Sequence, residues 1–131
     1  MNDFKLEPIG IVHSPYTKKT KKNYPVREDI EAQVEVYPQF AEALFRISEF
    51  PELWIIFWFS EISDGERMTL KVHPRKDKNK PLRGVFCSRS PARPNPIGLT
   101  KVTLIKKEKN ILYVKGLDAY DKTPVLDIKE V

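Results

Sequence analysis

Between Gly84 and Leu99 the chain reads Gly84-Val85-Phe86-Cys87-Ser88-Arg89-Ser90-Pro91-Ala92-Arg93-Pro94-Asn95-Pro96-Ile97-Gly98-Leu99. Two arginines and an asparagine stand among three prolines. Each proline fixes φ at about −65° and lacks an N–H. Ser90, Arg93 and Asn95, which precede the prolines, are pushed toward extended backbone. Such a turn cannot continue a helix, and its prolines cannot donate to a sheet ladder. It holds Arg89, Arg93 and Asn95 toward an anionic or polar ligand, since a guanidinium fork matches paired oxygen acceptors. The plainer reading is a proline-braced turn with solvated arginines; the density of the pattern favours the ligand. Cys87 has Arg89 two residues on, but no His/Asn pattern accompanies it, so it is not read as a nucleophile. His13 and His73 have no second His, Cys or paired acid at ligand spacing, and no metal site is expected.

The elements around this turn are mostly strands. Arg83 to Arg89 reads as the strand entering it and Ile97 to Lys106 as the strand leaving it. Ile111 to Gly116 follows across Lys109-Asn110, a hairpin pattern. Upstream, Phe4 to Val12 reads as extended. Ile30, Ala32, Val34 and Val36 alternate with Glu31, Gln33 and Glu35, the period of a half-buried strand. Phe40, Ala43, Leu44 and Ile47 follow helical spacing after Pro38, predicting one short helix from about Gln39 to Phe45. Leu53 to Phe59 is a continuous apolar run, buried on both faces or against a partner chain. Met68 to Val72 reads as a strand. Asp118 and Asp121 fall in a loop that Pro124 closes, and by residue type alone they form an Asx-type turn. Val125 to Ile128 is a last short strand. The expectation is an all-β, single-domain β-barrel of about seven short strands with one short helix.

The 131 residues carry 23 Lys and Arg against 18 Asp and Glu, a net charge of +5. Lys18, Lys19, Lys21 and Lys22 form one cluster, and Arg75, Lys76, Lys78, Lys80 and Arg83 another. Either alone reads as a solvated loop. With the arginine turn they favour an RNA surface, because clustered cations neutralise phosphates. No apolar run approaches the roughly 20 residues of a membrane span, so no membrane partner is expected. The N-terminus lacks the apolar core of a signal peptide. A single cysteine fits a cytoplasmic protein. No phosphate loop and no GxGxxG follows a strand, which disfavours a doubly wound nucleotide-binding fold.

Four segments, in order, carry a family resemblance: Ile9-Gly10-Ile11-Val12-His13-Ser14-Pro15-Tyr16, Leu53 to Phe59, Arg89 to Leu99, and Gly116 to Lys129. Together they resemble the TrmO (YaeB, TsaA-like) family of S-adenosylmethionine-dependent tRNA methyltransferases. The resemblance implies one TsaA-like β-barrel domain over 1–131, without the C-terminal extension of longer relatives. It implies a homodimer with the cofactor near the subunit interface. The implied reaction is methyl transfer to N6 of threonylcarbamoyl-modified adenosine 37 in tRNA. Two alternatives stay open: a non-catalytic RNA-binding β-barrel, and a methyltransferase of the same fold on another substrate.

Carried over residue by residue, the cofactor site comprises Val26, Arg27, Glu28, Phe59, Ser60, Arg89, Leu99, Asp118, Ala119, Tyr120 and Asp121. Arg89 and Asp118 take catalytic roles, and Arg93 and Asn95 hold the substrate. S-adenosylmethionine presents a sulfonium, an ammonium, a carboxylate and an adenine. Asp118 and Asp121 suit the cations, Arg89 the carboxylate or the acceptor base, and Phe59 and Leu99 an adenine slot. The chain departs from the family at Arg27, Ser60 and Lys122, where relatives often have Gln, His and Gly.

Overall fold

Period-two burial builds the barrel. The computed structural model describes residues 3–18 and 28–131. In the strand Glu31–Val36 (β2), Ala32, Val34 and Val36 are buried while their neighbours are not. The same alternation runs through Gly10–His13 (β1), Glu52–Trp58 (β3) and Ile111–Lys115 (β7). It places Val12, Leu53, Ile55, Phe57, Leu112 and Val114 in the core. With Ile97–Glu108 (β6) and Pro124–Glu130 (β8) these strands close a six-stranded barrel in the order β1-β2-β7-β6-β3-β8. Closure removes the unpaired edges that an open sheet would expose. The remaining strands among the described residues, Lys71–Val72 (β4) and Arg83–Gly84 (β5), form an antiparallel ribbon. No helix among the described residues is long and apolar enough to cross a membrane.

Backbone contacts divide the chain into two compact units. One comprises residues 1–57 and 99–131, and the other is Trp58–Gly98.

In the first unit, the backbones of β1 and β2 meet closely at Gly10, where a Cβ would overlap the carbonyl oxygen of Glu35. The expected hairpin is present, with Lys109 at φ 55°. Asn110 fastens it to β2: its Nδ2 donates to the Val36 carbonyl at 2.7 Å. Within the segment read as extended from Phe4 to Val12, sheet pairing begins at Gly10. Pro8 has no N–H to give a ladder, and Phe4 and Leu6 lie exposed. The short helix is a 3₁₀ helix over Pro38–Leu44, because only Leu44 of its apolar residues is buried and nothing stabilises a full α-helical face. Leu53 to Phe59 buries one face in the barrel, while Trp54, Ile56 and Trp58 are half-buried.

In the second unit, two expected strands are shorter than their apolar content suggested. Ser63 and Glu66 form a reciprocal cap, with Glu66 N–H donating to Ser63 Oγ at 3.2 Å and Ser63 N–H to Glu66 Oε1 at 3.1 Å. This cap winds Glu66–Met68 into a 3₁₀ turn before β4. Val85 N–H still donates across the ribbon to the Leu70 carbonyl at 2.9 Å, and Val85–Cys87 then turns as another 3₁₀ helix, with Ser88 N–H donating to the Val85 carbonyl at 3.1 Å. Arg83 Nη1 donates to the Cys87 carbonyl at 3.2 Å and closes that turn.

Candidate functional site

The site residues expected from the sequence fall in both units, and each half has its own local architecture. Val26 and Arg27 lie outside the described residues, as do Lys19, Lys21 and Lys22.

In the first unit, Gly116 gathers several segments. Its φ is 88°, a conformation that L side chains rarely adopt. A Cβ there would lie 3.6 Å from the Glu28 carbonyl oxygen and 4.0 Å from that of Lys101. Gly116 N–H donates to the Ile30 carbonyl at 3.1 Å. The segment holding Glu28, the strand β6 holding Leu99, and the acidic loop therefore converge on one glycine. Beyond it, Leu117 and Ala119 are buried at 1 and 5 % exposure, and Asp118 between them is exposed. Two buried anchors thus present one carboxylate outward.

Three main-chain bonds fix the rest of this loop. Asp121 N–H donates to the Tyr16 carbonyl at 2.7 Å, Lys122 N–H to that of Val12 at 2.7 Å, and Thr123 N–H to that of Tyr120 at 3.2 Å. Asp121 Oδ1 accepts the Ser14 N–H at 3.1 Å. Asp121 also borders a cleft of about 390 Å³ with Ser14, Glu31, Gln33 and Tyr113. Lys122 has φ 66°, the left-handed region that glycine occupies without strain. That conformation costs an ordinary residue roughly 1–2 kcal/mol, partly offset by the greater backbone freedom of an unfolded glycine. Lys122→Gly is therefore expected to stabilise the protein by about 0.5–1 kcal/mol, read as a higher thermal midpoint. A lower midpoint would mean that the lysine side chain supports the loop.

In the second unit, the proline turn is braced from within. Arg93 Nη1 donates to the carbonyls of Ser88 and Ser90, at 2.9 and 3.3 Å. These residues flank Arg89, so both ends of its peptide backbone are held while Arg89 itself is exposed. Ser90 N–H donates to Ser88 Oγ at 3.2 Å. Phe59 N–H donates to the Pro96 carbonyl at 2.7 Å, which sets Phe59 and Ser60 beside the exit of the turn. Asn95 is exposed, and its Oδ1 accepts from Arg67 Nη2 at 3.2 Å.

Arg67 is the residue that sequence reasoning missed. Its Nε donates to the Pro94 carbonyl at 2.7 Å, and its guanidinium lies 5.3 Å from the Trp58 ring centroid. Arg67 and Pro94 are 27 positions apart, a separation that leaves no local signal of this brace. Hydrogen bonds to a charged donor contribute about 1.5–3 kcal/mol each. Arg67→Met is expected to speed hydrogen exchange of the Ile97 amide, which is bonded to the Asn95 carbonyl at 2.7 Å, by about tenfold or more. Unchanged exchange would show that the prolines hold the turn without Arg67.

Charge is divided unevenly. Residues 58–98 carry nine Lys and Arg against four Asp and Glu, whereas the rest of the chain carries fourteen of each. Among the described residues no three His, Cys, Asp or Glu side chains are grouped to hold a metal ion.

Residues 11–131 match the model of the tRNA-methyltransferase O N-terminal domain. A probable S-adenosyl-L-methionine-binding protein of Pyrococcus abyssi is 43 % identical over 126 residues, covering 93 % of this chain and 65 % of that protein. The tRNA (adenine(37)-N6)-methyltransferase of Escherichia coli is 34 % identical over 137 residues, covering 98 % of this chain and 58 % of that enzyme. A crystal structure of TrmO superposes with a TM-score of 0.76 at 31 % identity, covering 99 % of this chain and 58 % of that one. The chain therefore spans about three fifths of the length of these proteins.

Proposed function

Because this chain belongs to the tRNA-methyltransferase O N-terminal domain family, we propose that it is an S-adenosylmethionine-dependent methyltransferase acting on N6 of adenosine 37 in tRNA. We assign the threonylcarbamoyl-modified adenosine as its substrate. The observation that carries this reading is the unbroken family match from residue 11 to 131, which includes both the proline turn and the acidic loop. It is supported by the names of relatives, S-adenosyl-L-methionine-binding proteins among them and a tRNA (adenine(37)-N6)-methyltransferase.

The residues present fit the cofactor's charges. Asp118 is exposed between buried neighbours, and only one oxygen of Asp121 is bonded to Ser14 among the described residues. These carboxylates suit an ammonium and a sulfonium. The exposed guanidinium of Arg89 suits a carboxylate or a carbonyl oxygen. Val26 to Glu28, Phe59, Ser60, Leu99, Ala119 and Tyr120 complete the proposed cofactor site. When bound, the cofactor supplies a methyl group on a positively charged sulfur. The accepting nitrogen is urea-like and a poor nucleophile, so the chain must align it and ease loss of its proton. We assign to Arg89 the task of polarising the adjacent carbonyl, so that negative charge developing as N6 loses its proton is spread onto oxygen. Arg93 and Asn95 are assigned to the substrate side. Work on tRNA and the lone cysteine point to the cytoplasm.

We further propose a homodimer. Met68, Leu70, Leu82 and Phe86, which flank the β4–β5 ribbon, are 53–81 % exposed, an unusual density of bare apolar side chains. Sedimentation is expected to give twice the chain mass, and Phe86→Asp to shift it to the monomer. A wild-type monomer would refute this. The functional reading is tested by calorimetry with S-adenosylmethionine and its demethylated product. Binding of both is expected, and binding of neither would remove the enzyme and favour a non-catalytic RNA-binding barrel.

A further inference from the structure

We infer that the basic loop from Pro74 to Arg83 is a preformed grip for the phosphate backbone of RNA. The identity of that RNA as tRNA rests on the function proposed above; the grip itself rests on separate observations.

The first is the location of the charge. The whole net positive charge of the chain arises within residues 58–98, since the remainder balances. The second is pairing. In the barrel unit, Lys101 meets Glu52 at 3.8 Å, Lys106 meets Glu108 at 2.9 Å and Lys129 meets Asp127 at 3.3 Å, while Lys107, Lys109, Lys115 and Lys122 have no carboxylate within ion-pair distance among the described residues. Arg75, Lys76, Lys78 and Lys80 are exposed, and no carboxylate among the described residues lies within ion-pair distance of them. The carboxylate between them, Asp77, accepts the Asn79 N–H at 3.0 Å and so shapes the loop.

The third is closure. His73 Nδ1 lies 3.0 Å from the Lys80 carbonyl and ties the two ends together. Lys76 N–H donates to the His73 carbonyl, Asp77 N–H to that of Pro74 and Lys80 N–H to that of Asp77, at 3.0, 3.0 and 3.1 Å. Arg75 and Lys76 are both left-handed, at φ 52° and 59°. That backbone is unfavourable for L-residues, and such residues cluster where binding is pre-organised. Four like charges held in a closed loop repel one another, and a line of phosphates relieves the repulsion while releasing counterions.

The test measures fluorescence anisotropy of a labelled tRNA transcript with the full chain across a salt series. Arg75→Ala/Lys76→Ala/Lys78→Ala/Lys80→Ala is compared with wild type. Lys78→Gln/Lys80→Gln spares the left-handed pair should the first variant fold poorly. Each phosphate contact contributes about 0.7–0.9 to the slope of log affinity against log salt. The quadruple variant is therefore expected to lose about 3 from that slope and roughly tenfold or more in affinity at low salt. The double variant should lose about half of the slope change. Binding of S-adenosylmethionine, followed by calorimetry, should be unchanged in both.

Wild-type slope and affinity in both variants would overturn the grip. So would wild-type protein that binds the cofactor but no tRNA, or that binds polyglutamate as tightly as tRNA. Loop-dependent tRNA binding without any cofactor binding would uphold the grip while the methyltransferase reading falls.

Discussion

Arg89→Lys is expected to lower single-turnover methyl transfer by about 100-fold while the thermal midpoint stays near that of wild type. Arg93 bonds the carbonyls of both residues that flank Arg89, and Pro91 and Pro94 restrict the path that follows. The Arg89 side chain therefore starts from a fixed backbone, which lowers the ordering cost of placing it. Its guanidinium presents paired donors in a plane. Lysine retains the charge but not the fork, so it cannot hold a carboxylate or a developing oxyanion in the same geometry. Losing one such donor costs on the order of 100-fold in other acyl and carbonyl sites. Melting and methyl transfer should be measured on the same preparation. An early-melting variant with normal activity per folded molecule would make Arg89 a structural brace.

Asp118→Asn is expected to weaken S-adenosylmethionine binding by about 10- to 100-fold. The substitution keeps shape and hydrogen-bonding oxygen and removes only charge. Buried Leu117 and Ala119 and the three main-chain bonds after them hold the loop, so the backbone should not move. A charged hydrogen bond contributes about 1.5–3 kcal/mol, which is one to two powers of ten in affinity. Calorimetry reads this directly. An unchanged dissociation constant would remove Asp118 from the cofactor site and leave Asp121 as its acidic member.

Where one face of a strand is buried, the sequence was readable. Ala32, Val34 and Val36 announced β2, and the Lys109-Asn110 hairpin lies where the turn pattern put it. The second unit was not legible in this way. Apolar content around Met68 to Val72 and Arg83 to Arg89 suggested full strands, but each has only a two-residue partner. One more bond, Val85 N–H to the Leu70 carbonyl, extends the pairing, and beyond it the chain forms local caps and 3₁₀ turns. Among the candidate site residues, the stiffness of the proline turn followed from proline geometry. Its bracing did not, because side-chain bonds from Arg67 and Arg93 to main-chain carbonyls leave no pattern in residue type. Lys122 holds a positive φ, a fact that composition could not supply.

The most direct test of the proposed reaction uses S-adenosylmethionine with an isotopically labelled methyl group and tRNA carrying threonylcarbamoyl adenosine 37. After incubation with the full chain, the tRNA is digested and its nucleosides are weighed by mass spectrometry. The expected result is one labelled methyl on the threonylcarbamoyl adenosine, and none when the same tRNA lacks that modification. Label on a different nucleoside, or no label in any tRNA from protein that binds the cofactor, would contradict the assignment.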